Sequence, residues 1–134
     1  MTETEDGVQR ILLANGLAVY IRDESVHMTG DRWQVRCVAQ VAVPVSALEA
    51  TPLTGDPPVA EVRSLLGDTV EFVQQRTRIF FPEAGRAKVF TLLRDELLEI
   101  AKSYVARPSF PVKLVRRRYQ EALRERTLRR GMVG

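Results

Sequence analysis

Residue types that build catalytic and metal sites are scarce in this chain. Its 134 residues include one cysteine, one histidine and one tryptophan. A single cysteine excludes an internal disulfide and cannot provide the cysteine pairs that structural zinc sites use. No apolar run approaches the roughly 18 residues that span a bilayer, and residues 1–7 are acidic, unlike the start of a signal peptide. We therefore expect a cytoplasmic protein with no cofactor, no metal ion and no membrane partner.

The chain does contain enough apolar sequence for one packed domain. Hydrophobic residues make up 45% and charged residues 28% of it, which is typical of a globular protein. A chain of this length needs neither a metal ion nor a disulfide to hold its core. The sequence predicts a single domain over residues 1–134, with a flexible acidic tail at 1–7 and a frayed basic end at 129–134.

Residues 10–14 and 17–22 predict a β-hairpin. They flank Asn15-Gly16, a dipeptide that favours the positive φ angles of a type I′ turn. A two-residue loop pairs Ala14 with Leu17 and Leu12 with Val19. This register predicts an apolar inner face with Leu12, Leu17, Val19 and Ile21, and an outer face with Ile11, Leu13, Ala18 and Tyr20.

A third strand is predicted over residues 33–43, after a polar connection. The alternating apolar positions are Trp33, Val35, Cys37, Ala39, Val41 and Val43. Pro44 ends this ladder, and residues 46–58 read as a loop. Within that loop Asp56 is suited to cap a short helix that stops at Gly67.

The second half of the chain predicts one strand and two longer helices. Over residues 70–81 the strand alternation breaks, so either a bulge restores the register or both faces are partly covered. Helices follow at about 82–106, with Phe90, Leu93, Leu97, Ile100 and Tyr104 inward, and at about 111–128, with Val112, Val115, Tyr119, Ala122 and Leu123 inward. The predicted fold class is α+β: a four-stranded, mainly antiparallel sheet in the order β-β-β-α-β-α-α, with the two C-terminal helices packed on one face.

The polar connection from Asp23 to Asp31 is the densest set of ionisable and hydroxyl side chains, and it contains His27. One histidine beside carboxylates can act as a general base or bind a metal ion, which would indicate a small enzyme. A zinc site needs three or four ligands, and the chain has no second histidine. We interpret the segment as a solvated loop, since turns use the same residue types.

Charge is concentrated in the last 25 residues. They carry eight basic and two acidic side chains, a net charge of +6, whereas the other 109 residues carry 12 basic and 15 acidic side chains. On an ideal helix Lys113, Arg117 and Arg124 share one outward face. Such a face can bind the phosphate backbone of a nucleic acid, or it can be a solubilising surface.

The outer sheet face suggests a third kind of site. If helices cover only the inner face, Tyr20, Arg22, Arg36 and Val38 remain outside as a mixed polar and apolar surface of the kind that interfaces use. A homodimer or another protein would cover it, or the short helix or the 46–58 loop would cover it within the monomer. We expect a non-enzymatic protein-interaction or self-association domain, with nucleic-acid binding as the alternative and an enzyme or metal site as the third hypothesis.

Overall fold

The structure is a computed structural model that describes residues 2–5, 7–50 and 53–133. It confirms the α+β class. The strands are β1 (Thr2–Glu5), β2 (Val8–Leu12), β3 (Ala18–Asp23), β4 (Val26–Thr29), β5 (Arg32–Pro44) and β6 (Thr69–Pro82). The helices are α1 (Val59–Leu66), α2 (Arg86–Ile100) and α3 (Phe110–Val133), with short 3-10 turns at Val45–Glu49 and Glu83–Gly85 and a π-helical turn at Ala101–Val105.

The sheet has six described strands where the sequence predicts four. The additional strands are β1, which pairs with β2 in the segment predicted to be a flexible tail, and β4, which lies in the predicted polar connection. Asp23 of β3 pairs with Cys37 and Val26 of β4 pairs with Gln34, so β4 continues the register of the β3–β5 pair. Most of the segment predicted as a polar connection therefore belongs to one long hairpin, in which β3 and β4 pair in turn with β5.

The strand order is β1-β2-β3-β5-β4, and β6 also pairs with β5. Two backbone hydrogen bonds give the sense of the β5–β6 pair: Val45 N–H donates to the Asp68 carbonyl, and Glu83 N–H donates to the Asp31 carbonyl. From Asp31 to Val45 the residue number rises, while that of the bonded residue falls from Glu83 to Asp68. This pair is therefore antiparallel, like the other ladders.

The chain divides into two compact units. The first contains the chain up to Val41 and Phe72–Arg107, and the second contains Ala42–Glu71 and the chain from Pro108. The boundaries fall within β5 and β6. The single-domain organisation stays a prediction.

The core of the first unit lies between the inner face of the sheet and α2. Its buried side chains include Leu17, Val19, Ile21, Val35, Cys37, Val41, Leu93 and Leu97, which are among those that the alternation and the helix stripe predict. Trp33 and Ile100 are half-buried. Tyr104, also predicted to face inward, is 41% exposed, because a π-helical turn in which Ala106 N–H donates to the Ala101 carbonyl turns Ala101 and Val105 inward instead.

The first hairpin forms, but its predicted register is wrong by one residue. Leu12 pairs with Ala18, and Leu13 N–H donates to the Leu17 carbonyl across a three-residue loop that ends at Gly16 with φ 88°. A one-residue slip exchanges the two faces of a strand. Leu13 is therefore buried and Leu12 is 44% exposed, the reverse of the prediction.

Hydrogen bonds of the Asn15 side chain favour the observed three-residue loop over the predicted two-residue loop. Its Oδ1 accepts the Leu17 N–H at 3.2 Å. Its Nδ2 donates to the carbonyls of Val105 and Arg107 at 2.8 and 3.0 Å. Because the last carbonyls of a helical segment have no partner within it, Asn15 satisfies two of them from the hairpin tip.

In the second unit α3 contacts α1 and the Val45–Glu49 turn. The α1 helix ends at Gly67 as predicted, with φ 86° there. Asp56 does not cap it; the carboxylate accepts hydrogen bonds from the Leu53 N–H and from Arg116 instead. The α3 helix continues to Val133 where the sequence predicts fraying. Within the described ranges, no helix is long and apolar enough to cross a membrane.

Candidate interaction surfaces

Four of the predicted site residues lie on the sheet face opposite α2, which we call the outer face. Cross-strand pairing sets Tyr20 against Gln40 and Arg22 against Val38, and Arg36 follows on the same side of β5. Arg10 pairs with Tyr20 and therefore shares this face. The outer face of the first unit thus gathers three arginines from three strands around one tyrosine.

Hydrogen bonds hold these long side chains against the sheet. Arg10 Nε donates to Tyr20 Oη at 3.3 Å, and Arg22 Nη2 donates to Gln40 Oε1 at 2.6 Å. Tyr20 remains 39% exposed. Val38, predicted to be an exposed contact, is only 4% exposed, so neighbouring side chains cover it and it is not available to a partner.

Three exposed apolar side chains belong to this face and were missed by the sequence reasoning. Phe72 and Gln74 line a cavity under α2, and Arg76 and Arg78 both pair with Glu96 of α2, so the even-numbered residues of this part of β6 face the helix. The odd-numbered residues Val73 and Ile79 therefore lie on the outer face, 53% and 57% exposed. Leu12 joins them through the corrected hairpin register.

The alternation in β6 could have predicted the outward positions of Val73 and Ile79. The pattern is hard to recognise in the sequence, because the inward positions 76 and 78 are arginines rather than apolar residues. Between residues 72 and 78 the side chains alternate without interruption between the two faces of the sheet. Neither a bulge nor a covered outer face is therefore needed to explain the sequence pattern in this part of β6. The position of Leu12 had no local signal, since it depends on a side-chain contact of Asn15 across the unit.

The outer face carries acidic as well as basic residues. The carboxylate of Glu24 lies 3.5 Å from Arg22 Nε, and strand pairing sets Glu3 opposite Arg10 and Glu5 opposite Val8. In the described part of the chain Arg36 Nε is buried without a hydrogen-bond partner. The face therefore combines charged groups of both signs with apolar side chains.

The segment from Asp23 to Asp31 packs around Trp33. The Arg86 guanidinium lies 3.9 Å from the centre of the Trp33 ring and 3.5 Å from Asp23 Oδ2. Trp33 Nε1 donates to Glu83 Oε2 at 3.3 Å, and the His27 ring lies 5.2 Å from the indole. An open cleft of about 500 Å³ adjoins this cluster.

Most of the polar groups in this segment are engaged in local structure. Asp23 Oδ1 accepts the Ser25 N–H, Ser25 Oγ accepts the Arg36 N–H, and His27 Nε2 lies 2.5 Å from the Gly30 carbonyl. Among the residues that the structure describes, no three His, Cys, Asp or Glu side chains converge as metal ligands would. Burial, with a smaller contribution from Asp23, raises the pKa of the Cys37 thiol to about 11, which keeps the thiol protonated at neutral pH.

The remaining predicted site residues lie on α3 in the second unit. Lys113, Arg117 and Arg124 are exposed. Arg116 is less accessible to a ligand than these three residues, because its guanidinium forms a bidentate contact with Asp56 in which Nη2 donates to Oδ2 at 2.9 Å. Beyond Leu123 every residue from Arg124 to Gly131 is exposed.

Comparison with known proteins gives no match: no protein-family model, no curated protein and no solved structure is similar to this chain.

Proposed function

We propose that this protein is a non-catalytic interaction domain whose outer sheet face binds another protein. The observation that carries the proposal is the exposed combination of Leu12, Tyr20, Val73 and Ile79 beside Arg10, Arg22 and Arg36. Interfaces are enriched in tyrosine and arginine, and apolar side chains next to them provide area that association removes from water.

Two of the arginines are held in place before binding. Arg10 donates to Tyr20 Oη and Arg22 donates to Gln40 Oε1, which reduces the conformational entropy that association costs. Because the face carries both signs of charge, a partner with complementary charges would be attracted.

A photo-cross-linking amino acid at position 20 tests the proposal in the cell that produces the protein. The matched control carries the same group in place of Leu92, which is 56% exposed on α2. We expect one partner to be cross-linked from position 20 and not from position 92. The adduct should disappear when Arg22→Glu is added to the position 20 variant.

Three outcomes would contradict the proposal. An adduct of twice the chain's mass would identify a second copy as the partner. Equal labelling from positions 20 and 92 would show that the contact is nonspecific. An adduct that persists with Arg22→Glu, in a variant with unchanged circular dichroism, would show that Arg22 is not part of the contact.

A further inference from the structure

The last two turns of α3 carry arginines on opposite sides of the helix. With 100° between successive residues, Arg124 lies on the outward face of Lys113 and Arg117, while Arg126 and Arg130 continue the inward stripe of Val115 and Tyr119. Arg129 points to a third side.

These arginines are only partly neutralised. The two acidic residues of the helix pair with neighbours, Glu121 with Arg117 at 3.9 Å and Glu125 with Arg129. Residues 124–131 are all exposed, and Leu128 is the one large apolar side chain among them. They form an exposed helical end with arginines on opposite sides, and Glu125 and Leu128 lie between Arg124 and Arg129.

This distribution favours one kind of polyanion over others. An acidic protein surface or an anionic membrane lies on one side of a bound helix, and a membrane-surface helix also needs an apolar face. The major groove of B-form DNA places phosphates on both sides of an inserted helix and is about 12 Å wide and 8.5 Å deep. A helix is about 10–12 Å across, and eight residues rise about 12 Å, so the exposed end matches the groove in size.

We infer that the C-terminal end of α3 binds double-stranded DNA, with residues 124–131 in the major groove and arginines from Arg117 to Arg130 reaching the phosphates of both strands. This interaction is independent of the outer sheet face. It is carried by phosphate contacts, so it is nonspecific in sequence and strongly dependent on salt concentration.

Fluorescence anisotropy with a labelled 20-base-pair DNA of mixed sequence tests the inference on the full chain, between about 0.05 and 0.2 M salt. Two double variants remove charge from opposite sides of the helix: Arg117→Gln with Arg124→Gln, and Arg126→Gln with Arg130→Gln. The matched control, Lys88→Gln with Lys102→Gln, removes two exposed cations from α2 and its π-helical turn. Thermal melting by circular dichroism confirms that each variant is folded.

We expect the affinity of the parent to fall linearly on a log–log plot against salt. Each helix double variant should lower the slope by about 2 and the affinity roughly tenfold or more, because each arginine that contacts a phosphate releases about one counterion. The control should match the parent.

Other results would overturn the inference. A loss confined to one of the two helix variants would indicate binding by one face, and an unaltered slope in both would place the contact elsewhere. Equal affinity for the RNA duplex of the same sequence would exclude insertion into a B-form groove, since the A-form major groove is too narrow. Stronger binding to vesicles of phosphatidylserine and phosphatidylcholine, or no binding at 0.15 M salt, would exclude DNA as the ligand.

Discussion

At the scale of single residues, Asn15 has a larger structural role than its position in a turn suggests. One amide group organises its own loop, and at the same time donates to two carbonyls at the end of the π-helical turn. Asn15→Ala should destabilise the protein by about 1–3 kcal/mol, because those carbonyls lose their partners. Denaturant unfolding measures the change. Asn15→Asp keeps the acceptor for Leu17 N–H but not the donors, so stability equal to the parent in that variant would show that the carbonyl contacts contribute nothing.

Cys37 gives a second prediction at this scale. Its side chain is fully buried and its pKa is raised to about 11, so a thiol reagent should modify it at neutral pH only as fast as the protein unfolds. The folded state favours the protonated thiol. The stabilisation is therefore complete below the unfolded pKa of about 8.5 and falls as the pH rises towards 11. Rapid labelling of native protein by a chromogenic disulfide at pH 7 would contradict this prediction.

At the scale of elements, hydrogen bonds of the Asp56 carboxylate connect the 53–58 loop to α3. The sequence instead predicts that Asp56 caps α1. Hydrogen bonds from Arg116 and from the Leu53 N–H hold the pKa of Asp56 below its usual value. A lowered pKa means that this stabilisation is present above pH 3.9 and is lost as the pH falls through the folded value. Asp56→Asn should therefore lower the melting temperature at pH 7, and the difference from the parent should shrink below pH 3.9. Asp68→Asn is the control, since the Arg63–Asp68 pair is exposed and should contribute little.

Sequence patterns predicted the elements well where periodicity and packing agree. Alternation located β5, and Gly67 located the end of α1. Where one residue makes a distant contact, the patterns were less informative: Asn15 shifted the first hairpin by one position, and the π-helical turn replaced Tyr104 with Val105 on the inward stripe. Among the site residues, the outward positions of Tyr20, Arg22, Lys113, Arg117 and Arg124 follow from local periodicity. The burial of Val38 and the exposure of Leu12 follow from tertiary contacts that no local window contains.

At the scale of the whole molecule, stability depends on the contact between α2 and the sheet in the first unit. Leu97 is 2% exposed and faces Val19, Ala39 and Val41 around a small cavity. Leu97→Ala should cost about 2–5 kcal/mol, the usual range for a buried leucine. The matched control Leu92→Ala, on the exposed side of the same helix, should change stability by less than about 0.5 kcal/mol. Equal unfolding midpoints for the two variants would show that Leu97 does not pack against the sheet as described.

The division of the chain within β5 and β6 has a consequence for synthesis on the ribosome. Strands β1 to β5 emerge first, but the helix that covers their inner face follows β6, and α1 has no helical partner until α3 is made. Neither unit is continuous in sequence. The nascent chain therefore exposes an uncovered apolar sheet face until α2 has been translated, and the second unit closes only after α3 has left the ribosome.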